Sequence, residues 1–591
     1  MALVTTSFSS SRSGQRVASA SPRPTPRWSV VPAPQSSNVA ALQDALLLPE
    51  AVCHLLAARG HGEPESAKRF LRPRLDMLAP ADTLHDLPRA VSRLAEAIRA
   101  GETIFVHGDY DVDGMASTAL LTRVLRGLGA AKVVPFVPNR LTDGYDLGTA
   151  GVEAALRAGA TLVVTCDCGT SAIEPVATLV GAGIDVIITD HHLPGGPLPA
   201  AYAICNPRHP DCTHEDKDLA AVGVAYKLAL ALCDALGASP ALAQRQLDLV
   251  ALATIADVAP LRGENRVLVR YGLRVLADTT HPGLRALMRS SGLDGKPLTA
   301  GRVGFVLAPR LNAAGRIADA KLGLRLLLAE QEDEALHIAR ELEELNQARQ
   351  ALDRSVLDDA LRQLDHPAAR DRYAHVLWAE GWHAGVIGIV ASRVVEQTAR
   401  PAVLVAVDQG IGKGSGRSIS AFDLHAALSD CRAHFQRFGG HRAAAGLTMD
   451  AVHLPAFAAQ FDEVARQRLS AEDLVPELRV DLDLNLDAVD EQLEKYVRHF
   501  EPFGVGNPAP MFRARGTRLA SAPRRVGSDG LRLSFDVPSG TLDGIGWGLA
   551  DKASQLPLDR EHELAFRIER DEYRGNSRLQ LRVADIRPME R

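Results

Sequence analysis

Four short apolar runs rich in β-branched residues, at 103–106, 133–137, 161–165 and 185–189, are separated by Ala/Leu-rich stretches of helical character. Strands that are apolar on both faces and alternate with helices predict a parallel sheet covered on both sides. An antiparallel sheet with one wet face would instead alternate polar and apolar residues. Three of the four runs lead straight into ionisable residues: His107 and the acids after it, Cys166-Asp167, and Asp190-His191-His192. In an open parallel sheet the carboxyl ends of the strands share one edge, so these residues converge despite their separation in sequence.

The 591 residues exceed what one hydrophobic core organises. Residues 1–40 carry Ser, Pro, Ala and four Arg with no acid before Asp44, which predicts a disordered or over-long N-terminal extension. Residues 41–322 form the main α/β unit with a helical lead-in, and 323–366 a linking helical segment in which Leu, Ala and Ile recur against charged residues. Residues 367–470 read as a smaller α/β unit. Residues 471–591, with alternation at 478–484, 531–537 and 579–583 between Gly, Ser and Pro turns, read as a small β-barrel. No stretch approaches the roughly 20 apolar residues of a membrane span. Seven scattered cysteines form no disulfide framework and place the chain in a reducing compartment, the cytoplasm. A net charge of -6 excludes a uniformly basic coat while leaving room for a local arginine-lined groove.

The run His107-Gly108-Asp109-Tyr110-Asp111-Val112-Asp113-Gly114 puts an ionisable side chain at every second position. Carboxylates so close raise one another's pKa and resist burial unless cations neutralise them. Asp111 and Asp113, joined by Asp167, His191 and Asp257, supply enough mixed oxygen and nitrogen donors for two ions sharing a carboxylate. Mixed donors fit Mn²⁺, with Mg²⁺ the alternative, better than Ca²⁺. Two such ions suit phosphoryl transfer. The polar turn that an Asp/Gly cluster otherwise makes does not account for the matching residues at three other places.

The order His107-x-x-x-Asp111-x-Asp113, then Asp167, then Asp190-His191-His192, then Asp257 resembles the DHH phosphoesterase superfamily. Asn139-Arg140 and the stretches 219–225, 308–316 and 382–393 further resemble its branch of bacterial exonucleases specific for single-stranded DNA, and the likeness runs from about Leu46 to the C-terminus. It implies an α/β fold: a parallel-sheet DHH phosphoesterase domain, a linking helix, a smaller α/β DHH-associated domain and a C-terminal OB-like β-barrel. It also implies that His107, Asp111 and Asp167 hold one ion and Asp113, Asp167, His191 and Asp257 the other. His192 then faces the phosphate, Asp190 supports the histidine pair, and Asp109 stays outside the set. Arg140, Arg310, Asn312 and Arg316 would meet the DNA backbone, the last three around a tight turn at Gly315. Two glycine-rich phosphate nests, 412–418 and 439–446, would hold the terminal 5′ phosphate through Ser415, Arg417 and His441. Where the family has Gly, Asp146 puts an acid near the expected DNA path, where it either loosens a phosphate contact or faces solvent. In the barrel, Arg513, Arg515, Arg518, Arg524, Arg525 and Arg532, with Phe512 and Trp547, resemble an oligonucleotide surface; Phe535 reads as core.

The implied activity is 5′→3′ hydrolysis of single-stranded DNA to 5′ mononucleotides in repair and recombination, by a monomer served by a helicase and a single-strand-binding protein. A phosphodiesterase of short RNA or cyclic dinucleotides would not need the arginine-rich barrel, and a non-catalytic scaffold would not keep every donor. Cys205, His209, Cys212 and His214 match no standard zinc spacing and read as a polar loop. Cys166 and Cys168 read as packed residues.

Overall fold

The computed structural model describes residues 24–140, 142–571 and 577–589. Its first strand, β1 (Arg27–Val30), lies inside the stretch that composition alone assigned to a disordered extension. It pairs in parallel with residues 477–480, and helix Ser36–Leu46 follows it. Residues 1–23 lie outside the described residues.

The main sheet consists of β2 (Thr103–Gly108), β3 (Lys132–Phe136), β4 (Leu162–Cys166), β5 (Asp185–Thr189) and β6 (Ala203–Cys205). All neighbours are parallel, in the order β3-β2-β4-β5-β6. Residues of β4 and β5 are buried almost throughout, as strands covered on both faces must be. Strand β6 escapes the sequence reading because three residues carry too little pattern.

A linking segment of two helices, Lys321–Leu328 and the 33-residue Glu332–Leu364, leads to a second sheet. This sheet holds β7 (His375–Glu380), β8 (Ala402–Asp408), β9 (Ile411–Arg417), β10 (Arg437–Gly440) and β11 (Ala444–Asp450), in the order β10-β11-β9-β8-β7. The third sheet begins after β12 (Glu477–Val480), the partner of β1. It contains β13 (Leu482–Asp483), β14 (Phe512–Thr517), β15 (Arg524–Val526), β16 (Gly530–Val537), β17 (Gly540–Trp547), β18 (His562–Asp571) and β19 (Arg578–Pro588). Its order is β13-β14-β18-β19-β17-β16-β15.

The helical lead-in packs elsewhere than expected. Leu42, Val52, Leu55 and Leu56 share one core with Phe500, Phe512, Phe535 and Phe566 of the C-terminal unit, not with the main sheet. An amphipathic stripe shows that a helix buries a face but not which partner it meets. Arg266 ties the pieces together: its guanidinium lies 4.0 Å over the Phe70 ring and donates to the carbonyls of Phe70, Phe500 and His499. Among the described residues no helix is long and apolar enough to cross a membrane.

Candidate metal centre and phosphate cleft

The centre begins at the end of β2. Asp111 caps helix Val112–Gly127, accepting hydrogen bonds from the amides of Asp113 (2.9 Å) and Gly114 (3.1 Å). A side chain at Gly114 would come within 2.3 Å of the Asp109 nitrogen, so glycine is required for helix and strand end to meet this closely. Asp113 lies in the first turn of the same helix and accepts from the amides of Ala221 (3.1 Å) and Val222 (2.9 Å), the first turn of helix Ala221–Ala235. Asp167, directly after β4, is left-handed at φ 64°, a conformation aspartate tolerates better than most residues. His191 and His192 follow β5, and Asp257 ends the nearly all-buried helix Leu247–Ala256.

These side chains meet. The His191 Nε2 lies 3.3 Å from Asp167 Oδ1 and 3.8 Å from Asp257 Oδ2. Donor atoms within 4.8 Å of one another form three groups here: Asp113, His191 and Asp257; Asp167, His191 and His192; and Asp109, Asp111 and Asp167. Asp109, which the sequence reading left outside, thus joins the acids. His107 enters none of the groups: its Nδ1 stands 3.6 Å from Cys168 Sγ, and its buried Nε2 has no hydrogen-bond partner. Buried Asp167 Oδ1, Asp109 Oδ1 and His191 Nε2 likewise lack one.

The electrostatics are those of a cation site. Burial, then the charge of Asp111, pushes Asp113 up to about 7. Burial and neighbouring acids also hold Asp109, Asp167 and Asp257 well above the carboxylate range. Burial drives His107 and His191 down to about 4, leaving neutral imidazoles, the form that binds metal. Acids that repel one another beside neutral imidazoles and bare buried donor atoms fit divalent cations.

His192 differs. Burial lowers its pKa, but its 2.8 Å hydrogen bond to Asp190 and the charge of that residue outweigh burial and lift it to about 9. Burial in turn raises Asp190, and His192 more than offsets it, holding the carboxyl below its usual range. Asp190 also accepts from the amides of His191, His192 and Thr170. The Tyr145 hydroxyl reaches the His192 ring at 3.2 Å.

Near the acids lies a cluster of arginines, of which Arg140 acts on both Asp109 and Tyr110. Arg310, Asn312 and Arg316 sit on one helix, Ala308–Ile317, and not around a turn. Gly315 serves close packing there: an added methyl would lie 2.6 Å from the Tyr110 carbonyl oxygen. Arg310 is committed to Glu343 of the linking helix at 2.5 Å and to the Val306 carbonyl, which turns it away from a backbone role. Arg316 remains. Burial, then Arg140, Arg349 and Arg417, lowers it to about 10, and it donates to the Gly385 carbonyl at 3.2 Å. Arg140 stacks 5.0 Å over Tyr110. Cations crowded this way, with Asp353 their nearby acid, match an anion supplied from outside.

The first glycine-rich nest is strand β9, and the second is the end of β10, a turn and the start of β11. Every residue of β9 pairs with both β8 and β11, so its amides belong to the ladders and cannot cradle phosphate. Gly412, Gly414 and Gly416 face Val403, Val405, Leu424 and Leu447, where a methyl would come within 2.7–3.0 Å of a side chain. Ser415 and Arg417 occupy the alternate positions and stand against Gly388 at the start of helix Ile387–Thr398. The Arg417 guanidinium donates to Ser415 Oγ at 3.2 Å. His441 is exposed in the turn between β10 and β11.

Asp146 is half-buried. It accepts from the amides of Leu147 (2.8 Å) and Gly169 (2.6 Å), bracing its loop against the one that carries Asp167. In the C-terminal unit Arg513, Arg515, Arg518, Arg525 and Arg532, five of the six arginines named there, each pair with an acid. Phe512 is core like Phe535. Of the four residues in the loop at 205–214, only His209 joins a donor group, with His85 and Asp211. The two rings are stacked 3.8 Å apart and 10° from parallel, so their in-plane lone pairs do not converge on one ion.

The model of the DHH family, N-terminal domain, matches residues 103–254, the DHHA1 domain 371–467 and the RecJ OB domain 480–585. The single-stranded-DNA-specific exonuclease RecJ of Salmonella typhimurium is 38% identical over 562 residues, 92% of this chain and 96% of that protein. The chain belongs to the RecJ family. RecJ of Bacillus subtilis is 35% identical over 95% of this chain and 70% of its own length. The crystal structure of RecJ in complex with Mn²⁺ from Thermus thermophilus superposes with a TM-score of 0.82 at 35% identity, covering 96% of this chain and 80% of that one. The Mg²⁺ complex from the same organism gives 0.77 at 33%, covering 96% of this chain and 79% of that one. The fold is that of RecJ: a parallel-sheet DHH domain, a DHHA1 domain and an OB domain.

Proposed function

We propose that this chain is a metal-dependent exonuclease that removes 5′ mononucleotides from single-stranded DNA in the 5′→3′ direction, in repair and recombination. The observation that carries the reading is the nearness of two opposite sets: repelled carboxylates with neutral histidines, and a chain of cations in which the charge of Arg140 acts on Asp109 and also on Arg316 and Arg417, the last bonded to Ser415. Asp113, Asp167, His191 and Asp257 would hold one divalent cation, and Asp111 and Asp167, with His107 drawn in by its bare Nε2, the other. Two such ions, Mn²⁺ by the mixed donors, supply Lewis-acid neutralisation of the phosphate and of the attacking and leaving oxygens. The chain's own residues do the rest. Arg316 and Arg417 clamp the terminal phosphate, and Ser415 adds a donor; Asn312 and His441 line the approach. Asp190 keeps a proton on His192 Nδ1 and fixes its ring, which places a cationic donor beside the phosphate. The protein works in the cytoplasm as a monomer on strands freed by a helicase and covered by a single-strand-binding protein.

Incubation with Mn²⁺ and end-labelled single strands and duplexes tests this. Mononucleotide release from the 5′ end of single strands is expected; release from duplexes at equal rate, or dinucleotide release from RNA, overturns it. For the clamp, Arg417→Ala is expected to raise KM for 5′-phosphorylated strands roughly 10- to 100-fold, the loss of charge-assisted hydrogen bonds. Strands with a 5′ hydroxyl should lose far less. Equal loss on both would remove Arg417 from the terminal-phosphate role.

A further inference from the structure

We infer that the DHHA1 domain carries a second ligand site, apart from the metal centre, that takes a nucleoside 5′-monophosphate in a cavity walled by Arg370, Arg400, Arg466 and Tyr373. The inference goes beyond the nuclease reading and does not depend on it. The cavity has a volume of about 440 Å³, inside the range of roughly 300–1,000 Å³ that small-molecule sites occupy. Its place in the fold sets it apart. Along β8 the side chains alternate: Ala402, Leu404 and Ala406 pack with Val390 of helix Ile387–Thr398, whereas Val403, Val405 and Val407 pack with Phe457 and Phe461 of helix Leu454–Arg468. Ser415 and Arg417 stand on the first face, against Gly388. The cavity belongs to the second, where Arg466 in the last turn of helix Leu454–Arg468 meets Tyr373 at the approach to β7.

The cations of this wall are open to an anion. Arg370 is exposed and, among the described residues, makes no hydrogen bond or ion pair. Arg400 donates from Nε to the Arg372 carbonyl (2.6 Å) and from Nη1 to the Thr398 carbonyl (2.8 Å), which fixes the guanidinium and leaves Nη2 unbonded. Arg466 is held by Asp462 at 3.3 Å and lies 4.8 Å over the Tyr373 ring. Asp462 is taken up further by the amides of Tyr373 (2.6 Å) and Ala374 (3.3 Å), so Asp371 is the one uncommitted acid on the wall. The positive potential reaches the buried His375, which burial, then the charges of Arg400 and Arg372, drive down to about 3.

The ligand follows from two kinds of wall. Guanidinium groups match phosphate oxygens through charge-assisted hydrogen bonds, and three of them beside one acid suit a single phosphate. Next to them Leu474, Val475 and the Tyr373 ring offer apolar surface, with Val475 40% exposed. Inorganic phosphate would leave that surface in water, and a purely apolar molecule would cover cations without giving them a partner. A phosphate joined to a flat ring satisfies both. The Arg466 guanidinium, already flat on Tyr373, is the kind of group on which a base stacks.

The test titrates the full-length protein in chelator with dAMP, deoxyadenosine and inorganic phosphate, followed by calorimetry. It uses the Arg417→Ala variant, so that the phosphate clamp at the metal centre does not compete. Binding of dAMP is expected, roughly tenfold or more tighter than that of phosphate or deoxyadenosine. Adding Arg370→Glu, at an exposed side chain without contacts, should weaken dAMP roughly tenfold or more at an unchanged melting temperature, and Arg370→Lys should keep most of the affinity. No dAMP binding in Arg417→Ala overturns the site, as does an affinity that Arg370→Glu leaves unmoved. Phosphate bound as tightly as dAMP overturns the nucleotide as its ligand. Hydrolysis by the wild type with Mn²⁺ tests the nuclease reading separately, so the two can fail independently.

Discussion

Replacing Asp167 by asparagine is expected to lower single-strand hydrolysis roughly 10³-fold or more, on the scale of losing a group that acts with its neighbours as a unit, while raising the melting temperature of the metal-free protein. The two effects share a cause. Asp167 is 2% exposed, its Oδ1 has no hydrogen-bond partner, and Asp113, Asp111 and Asp257 all oppose its charge. Without cations the charged form is a liability to the fold; with them it is the carboxylate that joins two donor groups. Asparagine keeps the size and accepts the left-handed φ of 64°, so the backbone is undisturbed. The amide of residue 167 keeps its bond to the Thr189 carbonyl. Rates on a 5′-labelled strand and thermal melts in chelator measure both. Activity within tenfold of wild type, or a lower metal-free melting temperature, would show that Asp167 is a structural acid.

What could be read from the sequence was whatever depends on local pattern. β-Branched runs ending in Asp or His mark β2, β4 and β5, since strands buried on both faces need such residues and a parallel sheet needs its polar groups at one edge. Hidden features depend on contacts with distant residues. Gly412, Gly414 and Gly416 look like a loop, yet they make a central strand because Val403, Val405 and Leu447 leave no room for larger side chains on that face. Gly315 looks like a turn and sits inside a helix because the Tyr110 carbonyl passes 2.6 Å from where its methyl would be. Tertiary crowding overrides propensity in both. The role of Asp146 stays open in sequence for a related reason: its charge is visible there, while the Gly169 amide that uses it is not. Arg513, Arg515, Arg518, Arg525 and Arg532 of the C-terminal unit carry the same lesson, because their acid partners come from other parts of the chain. Exposed pairs of that kind are worth only about 0–1 kcal/mol each, so phosphates can displace them.

Asp113→Asn isolates how the centre couples to pH, because the whole protein mixes opposing titrations. Buried His107 and His191, driven down to about 4, favour the unfolded state as pH falls through the ordinary histidine range, whereas His192, lifted to about 9, favours the folded state there. Subtracting a variant that changes one carboxyl cancels the contributions of His107 and His191, on which Asp113 does not act. Asp113 is raised from 3.8 to about 7 by burial and Asp111. The folded state therefore binds its proton more tightly than the unfolded state does. Below the unfolded value both states are protonated and the group costs nothing. Between the two values the unfolded chain gives up the proton first, and the cost to the fold grows until pH passes about 7. In chelator, the melting temperature of Asp113→Asn minus that of wild type is expected to be smallest at pH 5, to increase towards pH 7 and to level off by pH 8. A constant offset is expected from the lost acceptor, since an amide group cannot accept from both the Ala221 and Val222 nitrogens. Saturating Mn²⁺ should reverse the sign at pH 8, because cations bind the folded wild type through the carboxylate that the variant lacks and stabilise it by mass action. A difference independent of pH, or one that Mn²⁺ leaves unchanged, would place Asp113 outside the cation set and reduce it to an anchor for helix Ala221–Ala235.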